Sequence, residues 1–241
     1  MTIEIHEDAT ALARALAARV CEAVDDRPNL VLGLPTGRTP LAFYEQMRRR
    51  SQERPSDWSA VRTFNLDEFV GVAPGAPGSY RSYMQRELFA HVNVRPDHIG
   101  FLNGAASDLD AECERYERAI ADAGGMDLIL LGIGGNGHIG FNEPGRTLAA
   151  RTHRARLEPS TRASNRALFG DSLDRVPVDG LSMGMATILQ ARRVVLIATG
   201  ATKAAAVRRM LGGSITTEFP ASFLLVHPDV TVMLDPAASP R

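Results

Sequence analysis

The chain has 241 residues, 44% of them hydrophobic and 23% charged, the balance of an ordinary soluble domain with a sizeable core. Its 27 Lys and Arg against 28 Asp and Glu leave a formal net charge of −1, so no long-range field recruits nucleic acid or an anionic membrane. No run reaches the roughly 18 apolar residues that span a bilayer, and the acidic start from Met1 to Asp8 has no apolar signal core, so a cytoplasmic protein is expected.

Residues 8–26 form an alanine-rich amphipathic pattern, read as a helix that ends at Arg27-Pro28-Asn29. Asn29 to Leu34 is a short apolar strand, Pro35 to Pro40 a turn, and Leu41 to Arg50 the next helix. Val61 to Leu66 reads as a strand running into Asp67-Glu68. A Gly/Pro-rich loop over 71–78 leads to a helix near 79–89, and residues 108–124 read as a charged helix. Met126 to Ile133 is an apolar run with the length and composition of a buried parallel strand. Further on, 193–199 reads as a strand, 203–211 as a helix, and 222–226 and 231–234 as short closing strands. Strands alternating with helices imply βαβ units, hence an α/β fold whose mainly parallel sheet is covered on both faces. With no repeat or linker, 1–241 reads as one domain. Cys21 and Cys113 lack zinc-site spacing and are expected to be reduced structural thiols.

Four segments carry chemistry, each at the carboxyl end of an expected strand, the edge where α/β sheets hold ligands. In Gly33 to Pro40 a turn into a helix exposes free N–H groups and a positive dipole end, with the Thr36 and Thr39 hydroxyls as further donors. The competing reading is a plain turn with Thr39 as helix cap and Pro40 in the first helical position. Asn65-Leu66-Asp67-Glu68 ends a strand with two carboxylates, of which alternation sends only one to a pocket; the other reading is a capping acid. The glycine-rich loop 134–145 places an imidazole, His138, near the carboxylate of Glu143, an acid/base pair suited to neutral pH. In Thr199 to Ala204, Lys203 opens a helix against its dipole, a local cost that a bound anion removes. The first and fourth segments together suggest a phosphate clamp.

Taken in this order, Leu34-Pro35-Thr36-Gly37, Phe64-Asn65-Leu66-Asp67-Glu68 and Gly137-His138-Ile139-Gly140-Phe141-Asn142-Glu143-Pro144 resemble the glucosamine-6-phosphate deaminase family over about residues 3–236. The resemblance implies a Rossmann-like three-layer αβα sandwich and conversion of glucosamine 6-phosphate and water to fructose 6-phosphate and ammonia, with no metal or other cofactor. It implies that Asp67 is the proton acceptor between C2 and C1, and that His138, oriented by Glu143, opens the sugar ring with Asn136 beside it. Thr36, Gly37, Arg38, Thr39 and Lys203 fall on the phosphate site.

Three departures stand out. The family's phosphate-binding arginine falls on Ala167, leaving Arg166 as a substitute candidate. Arg38 stands where many relatives have glycine. The Arg-Thr-x-x-Lys pattern tied to allosteric activation reads Arg151-Thr152-His153-Arg154-Ala155, and the chain stops soon after Pro236, so no activation by an amino-sugar phosphate is expected. A 6-phosphogluconolactonase is the nearest rival; its corresponding loop lacks Asn142-Glu143-Pro144, and lactone hydrolysis needs no proton shuttle across C1–C2. A sugar-phosphate sensor is the second, which would need a DNA-reading module that neither chain end has room for. The expected partner is a small hexosamine phosphate of gluco or galacto configuration, with no nucleic acid or membrane; a homo-oligomer stays open.

Overall fold

The structure, a computed structural model, describes residues 1–240. In chain order its strands and helices are β1 (Thr2–Ile5), α1 (Ala9–Asp26), β2 (Val31–Leu34), α2 (Leu41–Glu53), β3 (Arg62–Asn65), β4 (Asp67–Phe69), α3 (Tyr80–Glu87), β5 (Ile99–Gly100), α4 (Leu109–Asp122) and β6 (Leu128–Leu131). They continue as β7 (His153–Arg156), α5 (Pro159–Asn165), β8 (Asp179–Ser182), α6 (Met185–Leu189), β9 (Arg193–Ala198), α7 (Ala201–Leu211) and β10 (Val230–Leu234).

Seven strands form one sheet in the order β1-β10-β9-β6-β2-β3-β5, with every pair parallel. Alternate residues of the central strands enter separate cores. Leu128 and Leu130 of β6 join Leu16, Val20 and Phe43 on the α1/α2 face, while Ile129 and Leu131 join Tyr116, Val207 and Met210 on the α4/α7 face. A strand apolar on both sides must be covered twice, and the result is the expected three-layer sandwich. Each fully buried Leu or Ile contributes roughly 1.5–3 kcal/mol of transfer free energy.

Chain direction across the sheet reverses between β2 and β6: β3 and β5 are added on one side of β2, β6 and β9 on the other. The loops leaving β2 and β6 therefore diverge and leave a crevice at their carboxyl ends. The amino-terminal edge is tied together by a buried charge instead. There the buried Asp127 carboxylate accepts the Val31 N–H at 2.9 Å and lies 2.7 Å from Arg27 and 3.4 Å from Arg192.

Two parts of the fold differ from the sequence expectations. Residues 222–226 are not a strand; Pro220–Val226 is a 3₁₀ helix, because Pro220 opens a helical turn and its apolar side chains fill the α7 side of the core. A second, three-stranded antiparallel sheet, β4-β8-β7, lies outside the expected elements. Leu66 is its seam: its N–H reaches Leu34 O in the large sheet, and its carbonyl accepts the Met183 N–H from just beyond β8. No helix among the described residues is long and apolar enough to cross a membrane. Both cysteines are free and buried.

Candidate active site

The four chemistry-bearing segments leave β2, β3, β6 and β9, which are neighbours in the sheet, so they meet along one stretch of its carboxyl edge. The turn after β2 is held from below by two tyrosines. Tyr44 donates to the Pro35 carbonyl at 2.5 Å and Tyr83 to the Gly37 carbonyl at 2.7 Å. Gly37 has φ +102°, a conformation that side chains rarely adopt, and it turns the backbone here. Pro40 is the N-cap position of α2 and no side chain caps the helix, so the competing reading of a plain turn capped by Thr39, with Pro40 in the first helical position, does not hold. The N–H groups of Thr36, Gly37, Arg38 and Thr39 find no acceptor among the described residues. Four free donors at the start of a helix make an anion cradle.

The two carboxylates after β3 part as alternation requires, and take different tasks. Glu68, 1% exposed, turns inward and accepts the N–H groups of Phe69, Tyr80 and Arg81 at 2.8–3.0 Å, closing the start of α3. Burial pushes its carboxyl up to about 7 in spite of these donors. Asp67, 6% exposed, points to the crevice side, with the Thr36 hydroxyl donating to Oδ1 at 3.4 Å. Burial first, and then the neighbouring Glu68 charge, push it up to about 8. Thr36 thus serves the carboxylate as well as edging the cradle.

The loop after β6 carries the imidazole. His138 Nδ1 lies 3.4 Å from Glu143 Oε2 and 3.3 Å from the Thr161 hydroxyl of α5. Asn136 donates its amide to the same Glu143 oxygen at 3.0 Å and accepts the His138 backbone N–H at 3.2 Å. Asn136 therefore positions the loop and the carboxylate, not the ring itself. Burial alone would raise the Glu143 carboxyl; hydrogen bonds from His138, Thr161 and Asn136 outweigh it and hold the group below its usual range. Gly140, two residues on, has φ +57°, and a β-carbon there would stand 3.0 Å from Ser182 Oγ and 3.4 Å from Asp67 Oδ2. The His138 loop is thus laid against the Asp67 carboxylate, and it is the left-handed backbone and the tight approach to Ser182, not Asp67, that favour a glycine here.

Lys203 enters from the first turn of α7 and donates to the Ile133 carbonyl at 2.6 Å, at the root of the same loop. Burial and then the charge of Arg38 lower its pKa. Two cations near enough for the charge of one to lower the pKa of the other, with free N–H groups in the same segment as Arg38, have electrostatics that suit an anion. Arg166 is exposed on a 3₁₀ turn and lies 3.8 Å from the Asp171 carboxylate. Thr161 was not among the residues the sequence singled out, since no local pattern ties it to His138, 23 positions earlier.

A family model described as glucosamine-6-phosphate isomerases/6-phosphogluconolactonase matches residues 5–233. The glucosamine-6-phosphate deaminase of Bacillus velezensis is 46% identical over 95% of this chain and 94% of that protein. The glucosamine-6-phosphate deaminase of Halothermothrix orenii is 44% identical over 99% of each. Among solved structures, a monomeric glucosamine-6-phosphate deaminase aligns with TM-score 0.95 at 41% identity, covering 99% of this chain and 98% of that one. The 6-phosphogluconolactonase of Trypanosoma cruzi has a TM-score of 0.78 at 20% identity, over 98% of this chain and 95% of that one, a likeness of fold alone.

Proposed function

The chain belongs to the glucosamine-6-phosphate isomerase/6-phosphogluconolactonase family, and from that membership we infer that it is a glucosamine-6-phosphate deaminase. The reaction consumes one water and releases fructose 6-phosphate and ammonia. The observation that supports this reading is the His138 loop laid against Asp67 through Gly140, an arrangement suited to a ring-opening group and a carbon base acting on one substrate. A lactonase has no use for the second.

The 6-phosphate sits on the free N–H groups of residues 36–39, with Lys203 and Arg38 as cations. His138, held by Glu143, takes the proton of the C1 hydroxyl and returns one to the ring oxygen, giving the open-chain aldehyde. Asp67 then removes the C2 proton and delivers it to C1, while the C2 ammonium gives up a proton and the C1 oxygen gains one. The carboxylate that burial makes unusually basic is matched to a carbon-bound proton, and the substrate's C2 ammonium supports its ionised form. The product of that shift is a C2 imine; water adds to it and ammonia leaves. For assembly and location, similarity to a monomeric enzyme and two buried free thiols support a monomer in the cytoplasm.

The test is ammonia release from glucosamine 6-phosphate and galactosamine 6-phosphate beside hydrolysis of 6-phosphogluconolactone. Ammonia from an amino sugar, with lactone hydrolysis at the spontaneous rate, is expected. Lactone hydrolysis without ammonia release would overturn the reading.

A further inference from the structure

Thr161 is 2% exposed and lies in α5, a helix of seven residues that cannot order itself and is pinned from outside. Asn165 accepts the Tyr80 hydroxyl at 2.9 Å and donates to the Thr161 carbonyl at 2.9 Å, and Phe169 stands edge-on to Phe69 with ring centroids 5.1 Å apart. The pinned segment brings the Thr161 hydroxyl to 3.3 Å from His138 Nδ1, the nitrogen that Glu143 Oε2 faces at 3.4 Å, and the Glu158 N–H at its cap to 3.4 Å from Glu143 Oε1. A neutral imidazole carries its proton on either nitrogen, and what its partners accept decides which. Glu143, held ionised in part by the nearby Thr161 hydroxyl, accepts only; a hydroxyl whose proton turns toward that carboxylate has its lone pairs turned to the ring. Both groups facing Nδ1 then accept a proton from it. Nε2 has no hydrogen-bond partner among the described residues.

We propose that Thr161 is a positioning residue that fixes the working tautomer of His138, accepting the Nδ1 proton while giving its own to Glu143, so that Nε2 stays bare to exchange protons with the sugar. The inference rests on the deaminase reading for its chemistry and on the geometry alone for the tautomer. A packing role and this role make opposite demands on the side chain. Thr161→Val keeps the shape and loses the hydroxyl; Thr161→Ser keeps the hydroxyl and loses a methyl group.

The experiment uses the full chain, with the tautomer of His138 read by long-range ¹H–¹⁵N NMR and the pH dependence of kcat/KM measured on glucosamine 6-phosphate. Wild type and Thr161→Ser are expected to hold the proton on Nδ1. In Thr161→Val the ring should populate both tautomers, kcat/KM should fall by about tenfold, the worth of one hydrogen bond to a charged network, and the pH profile of kcat/KM should move. Thr161→Val with the proton still on Nδ1 and an unmoved profile overturns the proposal, whatever its kcat. Loss of the Nδ1–H form in Thr161→Ser overturns it too, because shape would then hold the ring. Should Thr161→Val not fold, Thr161→Ala carries the same readout. The tautomer needs no turnover, so absence of ammonia release would sink the deaminase reading and leave this one to be judged by NMR.

Discussion

Asp67 is made basic by what surrounds it. It is almost out of water, it stands beside a second buried carboxyl, and its one side-chain donor is a 3.4 Å contact from Thr36. Function and stability pull against each other at such a site. In the unfolded chain the group loses its proton near pH 3.9, whereas in the folded one it keeps it up to about 8. The folded state therefore binds the extra proton throughout that window, and stability falls as pH rises across it. Asp67→Asn removes the titration and keeps the shape. Its kcat should drop by about 10²–10⁴-fold, the usual worth of a general base. Its melting temperature should exceed that of wild type at pH 8, by about 2–4 °C for each kcal/mol relieved, and the gain should shrink toward pH 5. Calorimetry at the two pH values decides this, and an equal or lower melting temperature at pH 8 would mean that Asp67 is not held protonated. The sequence exposed this carboxylate because it follows an apolar strand directly. Strand alternation could not separate Asp67 from Glu68, since the choice depends on which residue faces the start of α3, and only the family resemblance singled out Asp67; nothing in the sequence pointed to Thr161, which reaches His138 only through the fold.

At the scale of elements, the proposed phosphate clamp draws on two helix starts far apart in the sequence, those of α2 and α7. The turn before α2 supplies free N–H groups, braced by Tyr44 and Tyr83, and α7 supplies Lys203 in its first turn. The cation is placed where helix dipole, burial and Arg38 all disfavour it, and a phosphate relieves all three. Lys203→Ala should raise KM for the sugar phosphate by roughly 10–100-fold, as expected for one charged hydrogen bond of about 1.5–3 kcal/mol, and leave kcat within a few-fold. Steady-state kinetics on the amino-sugar phosphate measures both, and an unchanged KM would place the phosphate elsewhere. These long βα units were legible in the chain because each joins an apolar strand to a periodic helix. The strands of the small sheet were not: β4 is three residues long, Asp-Glu-Phe, with no alternation to read. The opposite error arose at Ser222 to Val226, where a short apolar run has the same composition in a strand and in a buried helical turn.

Over the whole molecule, one topological reversal gathers the site, and regulation would have to reach it from a second site with two global states. The segment that corresponds to the family's activation pattern has its cations committed within the chain. Arg151 reaches Glu117 at 3.5 Å and Gln190 at 3.0 Å, and Arg154 pairs with Asp179 at 2.6 Å across β7 and β8. An incoming phosphate would have to displace Arg154 from a carboxylate that is itself mostly buried, and Ala155 offers no ammonium in place of the family's lysine. Resemblance in sequence alone already placed an alanine there; what the structure adds is that the remaining arginines are neutralised by their own neighbours. Saturation by glucosamine 6-phosphate should accordingly be hyperbolic, and N-acetylglucosamine 6-phosphate should act, if at all, as a competitor at the catalytic site, raising KM without touching kcat. Initial rates over a range of substrate concentrations, with and without that compound, test this directly. Sigmoidal rates that the acetylated sugar turns hyperbolic would require a second phosphate site on this chain and a linked conformational change, and would overturn the reading of Arg151 and Arg154 as structural ion pairs.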